Sequence, residues 1–148
     1  MITIDDVLAE WESDKNLDQS HIDTEIAKLS ALHFKYMKMY MDTSKFQIQT
    51  KKRMGKLKHL KIQYYKGMMD KHTLAQLGWE QYQGLKPQNA NDWDLTLKND
   101  NDIIEVQDIY DTNEAQLKML ESILWHIRDR GNHLKTLFDY QRFIGGGY

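Results

Sequence analysis

The chain has 148 residues, with 20 Lys or Arg against 22 Asp or Glu, 41% hydrophobic residues, four tryptophans and no cysteine. That length fits a single domain, or one compact domain with an arm, and the missing cysteine excludes disulfides, thiolate metal sites and a cysteine nucleophile. An N-terminus acidic from Asp5 onward is no signal peptide, and no stretch approaches the roughly 18 consecutive apolar residues of a membrane span, so a soluble, intracellular protein without a membrane role is expected.

The small net charge hides a block pattern. Residues 1–25 carry eight carboxylates against Lys15, residues 45–71 nine basic residues against Asp70, and residues 92–114 eight carboxylates against Lys98; residues 118–142 are mildly basic again. Such blocks can pair with one another, across subunits, or with a partner.

In chain order, Ile22, Ile26, Leu29, Leu32, Phe34 and Tyr36 recur at helical spacing. Asp42-Thr43-Ser44 is a cap-like cluster that either ends one helix and starts the next or is a solvated stretch of one long helix; a break or kink is expected, with a second helix from about Ser44 to Lys66 that stops near Gly67. HTLAQLGWEQY reads as a short helix, and GLKPQNAND, with the lone Pro87, as a loop. DWDLTLKNDNDIIEV offers two alternating runs around a polar connection and reads as a short β-hairpin over 92–106. From Thr112, Leu117, Leu120, Leu124 and Ile127 are helical again up to Arg130-Gly131, where glycine ends or bends the helix. Leu134 to Ile144 forms a last amphipathic stretch before a frayed Gly-Gly-Gly-Tyr. The fold class is mainly α, a single helical domain over 1–148. Residues 1–111 hold the acidic N-terminus, the basic helix and the hairpin, and residues 112–148 hold the C-terminal helices.

The segment KKRMGKLKHLKIQYYKG, residues 51–67, holds seven Lys or Arg in 17 positions and no carboxylate. At about 100° per residue, Leu57, Leu60 and Tyr64 share one face while Lys51, Lys52, Lys56, Lys58, His59 and Lys66 share the opposite one. Arg53 and Lys61 lie near or on the apolar side. Tyr64 is expected in the core and Tyr65 at the edge of the cationic arc, where a base can stack on it while lysines meet phosphates. The same face also suits an acidic protein surface, or solvent alone.

Elements of catalysis are missing. No GxxxxGK[ST] occurs, the six histidines are scattered, and the aspartates at 92, 94, 100 and 102 lack the glycine and terminal glutamate of an EF-hand loop. A protein that is not an enzyme and uses no cofactor or metal is expected.

Two stretches carry a family resemblance. KLKHLKIQYYKG is similar to the basic helix ending in Tyr-Tyr-x-Gly of the UvsY recombination mediators of T-even-type bacteriophages, and RDRGNHLKTLFDYQRFIGGG resembles that family's C-terminal signature. The departures are His59 where a fixed positive charge is expected, Lys61 where arginine is common, and Asn132 and His133 after the Arg-Gly step. The resemblance implies a helical protein that forms a ring, heptameric in the family, and binds single-stranded DNA. It implies loading of a phage recombinase onto strands covered by the phage single-strand-binding protein, in the cytoplasm of the infected bacterial host. It places DNA-binding near Lys58, His59 and Lys61, closed by Tyr64 and Tyr65. It also places Leu134, Leu137, Phe138, Tyr140 and Phe143 at a subunit interface. Together with the wheel, the expected DNA-binding set is Lys51, Lys52, Arg53, Lys56, Lys58, His59, Lys61, Tyr65 and Lys66. The alternative is a structural or scaffold protein whose basic helix meets an acidic neighbour.

Overall fold

The structure is a computed structural model and describes residues 1–146; Gly147 and Tyr148, and with them the end of the expected frayed tail, lie outside the described residues. The described residues form α1 (Ile4–Asp14), a 3₁₀ turn (Gln19–His21), α2 (Ile22–Tyr65), α3 (Lys71–Leu77), α4 (Ala90–Lys98) and α5 (Asn101–Ile144). The chain is all-α, with no strand among the described residues. It divides into two compact units, Met1–Phe46 with Asn113–Tyr148, and Gln47–Thr112.

In the first unit, α1 begins in a capping box: the Thr3 hydroxyl accepts from the Asp6 amide at 3.2 Å and the Asp6 carboxylate accepts from the Thr3 amide at 2.8 Å. Its last turn has no basic residue. Arg130 of α5 supplies one, donating to the Asp14 carbonyl at 3.1 Å and the Lys15 carbonyl at 2.6 Å, where orphan carbonyls and the helix dipole favour a cation. The core is Val7, Tyr36, Leu120, Ile123 and Ile127, with Trp11, Leu29 and Leu32 packed against it. The acidic N-terminal block is partly consumed here: Asp14 accepts from Lys35 at 2.7 Å and from the Tyr36 hydroxyl at 2.8 Å.

Two expected helix ends are absent. The Asp42-Thr43-Ser44 cluster lies inside α2. Ile22, Tyr36 and Thr43 are buried and Leu29 partly so, a seven-residue recurrence in which Thr43 is an inward position rather than a cap. Its hydroxyl accepts a 2.9 Å hydrogen bond from Gln116, itself buried. Gly131 likewise lies inside α5. A Cβ there would rest in ordinary contact with the Leu29 side chain at 3.4 Å, so the glycine sits at a helix contact, not at a helix end. On α5 the buried positions Asn113, Gln116, Leu120, Ile123, Ile127, Arg130 and Leu134 alternate steps of three and four, the signature of a coiled-coil seam.

In the second unit, Met54, Ile103 and Val106 form the core with Leu57 and Leu97 against it. The expected hairpin over 92–106 is replaced by the end of α4 and the start of α5. Asn89 caps α4 by accepting from the Asp92 amide at 2.9 Å, and Asp100 caps α5 by accepting from the Asp102 and Ile103 amides at 3.0 Å. The polar Lys-Asn-Asp-Asn-Asp stretch therefore ends one helix and starts the next. Short apolar runs of this kind do not distinguish strand from helix by periodicity.

Candidate nucleic-acid interface

The basic segment is the last four turns of α2. Helix geometry places Met54, Leu57 and Lys61 on one side, where they are buried or partly buried; Leu60, Ile62, Gln63, Tyr64 and Tyr65 are partly buried too. The outward side carries Lys51, Lys52, Arg53, Lys56, Lys58, His59 and Lys66, all exposed. Among the described residues none of these seven has an ion-pair partner, whereas Lys28, Lys35, Lys61 and Lys98 each do. Like charges at i, i+4, such as Lys52 and Lys56, disfavour a bare helix by a few tenths of a kcal/mol. A multivalent anion relieves that repulsion.

Lys61 is placed differently from its neighbours. It is 5% exposed, and its ammonium lies 3.0 Å from Asp100 and 2.6 Å from Asp102. It also stands 4.1 Å above the Trp79 ring. Burial alone would push this ammonium down, but the Asp102 and Asp100 hydrogen bonds and charges outweigh it and hold the group above the ordinary lysine range. Lys61 therefore points inward, with its charge already matched, and is not part of the open face.

Tyr65 does not stand free at the edge of that face either. It is half-buried, and its hydroxyl donates to Asp100 at 2.6 Å. Burial first, and then the adjoining carboxylate, raise its phenol above the ordinary range. Burial opposes ionisation of Asp100, yet Tyr65, the Ile103 amide and Lys61 together hold that carboxyl below its usual range.

The tyrosine pair serves an aromatic cluster. Tyr64 lies 5.2 Å from Tyr65, 5.4 Å from Trp79 and 5.7 Å from Tyr82, and Tyr65 lies 4.8 Å from Tyr82. The turn that brings Trp79 and Tyr82 back follows from two glycines. Gly67, at φ 71°, ends α2 with its amide on the Tyr64 carbonyl at 3.0 Å and the Met68 amide on the Gln63 carbonyl at 3.1 Å. Gly78, at φ 72°, ends α3 in the same manner, with the Trp79 amide on the Leu74 carbonyl at 3.0 Å.

Sequence reasoning missed Asp100, Asp102, Trp79 and Tyr82. The available signal was Asp100 immediately before the Ile103, Val106 spacing, an N-cap followed by a helical apolar recurrence.

The C-terminal residues divide. Leu134 is fully buried within the chain and Leu137 half-buried, while Phe138, Tyr140, Phe143 and Ile144 are exposed. Leu134 is thus an internal core residue, and the exposed aromatic positions beyond it form an uncovered apolar stretch at the end of α5.

Two solved structures of the bacteriophage T4 recombination mediator protein UvsY share the fold. One, lattice type IV, has 18% identity over 96% of this chain and 99% of that chain at a TM-score of 0.82. The other, lattice type II, has 17% identity over 98% and 99% at a TM-score of 0.83. No curated protein matches the chain significantly. The family described as recombination, repair and ssDNA binding protein UvsY matches residues 10–147. The chain belongs to the UvsY family.

Proposed function

We propose that this protein is a phage recombination mediator that binds single-stranded DNA on the outward face of α2 and loads a recombinase onto strands covered by single-strand-binding protein. The observation that carries the reading is the set of exposed cations between Lys51 and Lys66, Lys61 apart, that have no carboxylate partner among the described residues. Lys51, Lys52, Arg53, Lys56, Lys58, His59 and Lys66 meet phosphates. Lys61 and Tyr65 position the end of the helix from within rather than touching DNA.

Seven-fold display on a ring, heptameric as the family resemblance implies, turns a weak site into a strong one. Effective concentration contributes avidity gains on the order of 10²–10⁴. The exposed Phe138, Tyr140 and Phe143, with half-buried Leu137, supply the surface between copies. No catalysis is required: the ring stabilises a DNA state that the recombinase binds better than the covered strand, by differential binding to two states. The setting is the cytoplasm of the infected host.

The test is fluorescence anisotropy of a labelled single-stranded oligonucleotide across a salt series, with duplex as competitor. Single-strand preference with a slope of log affinity on log salt near −0.7 per neutralised phosphate supports the reading. Absence of binding at low salt sinks it and favours a structural protein whose basic helix meets an acidic neighbour. Recombinase loading onto covered strands is then measured directly.

A further inference from the structure

We infer that Gly55 marks a close-approach subsite for one backbone phosphate of a nucleic-acid strand, ringed by Lys51, Lys52, Lys58 and His59. The inference rests on the reading above and assigns where on the cationic face the strand comes nearest to the helix. Glycine is among the poorest residues for a helix interior, yet Gly55 lies well inside α2. Among the described residues no close packing calls for it, because a Cβ at Gly55 would meet no atom within 4 Å. Gly131 is the contrast, since a Cβ there meets Leu29 at 3.4 Å.

Gly55 faces out, and its i−4, i−3, i+3 and i+4 neighbours are Lys51, Lys52, Lys58 and His59, each exposed. Residues at those spacings lie about 5–6 Å apart at Cβ, so the side chains of three lysines and a histidine begin around a spot with no side chain. An anion seated there comes closer to all four than it could over an alanine, and the Coulomb attraction rises as separation falls. Lys56 and, farther toward the C-terminal end of the helix, Lys66 extend the cationic track, which suits a strand carrying one charge per nucleotide. A second copy cannot cover this spot with the same face, because cation would meet cation; contact with a different face of a neighbouring copy in a ring is told apart by the oligomer mass.

The test compares wild type, Gly55→Ala and Gly55→Leu by anisotropy with a labelled oligothymidylate over a salt series, alongside thermal melts and light scattering. Both substitutions favour the helix, so both variants should melt at or above the wild-type temperature with unchanged oligomer mass. Gly55→Leu should bind about tenfold more weakly, ~1.4 kcal/mol, and lose about 0.7 from the salt slope, with Gly55→Ala between. Wild-type affinity in Gly55→Leu overturns the subsite while leaving single-strand binding intact. A loss that follows a changed oligomer mass overturns it too, by placing the glycine between copies. A wild-type protein that binds no oligonucleotide removes the subsite and the proposed function together.

Discussion

The Tyr65 hydroxyl donates to the Asp100 carboxylate at 2.6 Å, tying the last turn of α2 to the first turn of α5. The same carboxylate caps α5 through the Asp102 and Ile103 amides and receives the Lys61 ammonium. One aspartate thus orders the end of the helix whose outward face is cationic. Tyr65→Phe should cost roughly 1–2 kcal/mol, the price of one hydrogen bond to a buried charge, and Tyr65→Ala roughly 3–4 kcal/mol by adding a cavity among the rings. Urea melts with oligonucleotide titrations decide the role: loss of affinity in Tyr65→Ala at unchanged stability would make Tyr65 an exposed stacking residue instead.

Lys61 and Lys56 lie five residues apart on one helix but should respond oppositely. Removing one partner of a buried pair costs roughly 3–5 kcal/mol; because Asp102 is half exposed, Lys61→Ala should cost roughly 2–3 kcal/mol. Lys56→Ala removes no ion pair among the described residues and should shift stability by less than about 0.5 kcal/mol, while lowering the salt slope by about 0.7. Paired chemical melts and salt titrations separate them. A stable Lys61→Ala with a reduced slope would return Lys61 to the DNA face.

The acid response follows from Asp100. Its carboxyl is held below the ordinary carboxylate value in the folded state, so its contribution is present above the unfolded value and is lost as pH falls through the folded one. Stability should therefore decline below about pH 4, with Asp14, also depressed, adding to the decline. Asp100→Asn keeps the cap oxygen but removes the charge. Its melting temperature should be lower at pH 7 and fall less steeply toward pH 3. A parallel pair of curves would assign the acid loss elsewhere.

The helical nature of the chain, the stop at Gly67 and the cationic side of α2 were legible because each rests on local spacing or local backbone geometry. What failed depends on partners distant in sequence. Thr43 resembles a cap until Gln116 is seen to use its hydroxyl inside the first unit. Gly131 resembles a stop until Leu29 is seen against it. Lys61 already fell on the apolar side of the wheel, but the carboxylates that permit a lysine there lie about 40 positions away, in a stretch whose short apolar runs mimic a hairpin. Trp79 and Tyr82 carry no periodic signal, since they join the site through a turn.

The C-terminal positions make the last separation. Leu134 is fully buried within the first unit, whereas Phe143 is 70% exposed. Leu134→Ala should destabilise the chain by roughly 3 kcal/mol, as for other core truncations, whatever its assembly. Phe143→Ser should leave the fold within about 0.5 kcal/mol, because a surface side chain with no internal partner contributes little. If the exposed aromatics join copies, Phe143→Ser and Phe138→Glu should lower the mass measured by light scattering and weaken oligonucleotide binding in step, as avidity is lost. Protein concentration must be varied, since mass action restores assembly in a weakened interface and with it the affinity. An unchanged mass in both variants at dilute concentration would remove the end of α5 from the contact between copies.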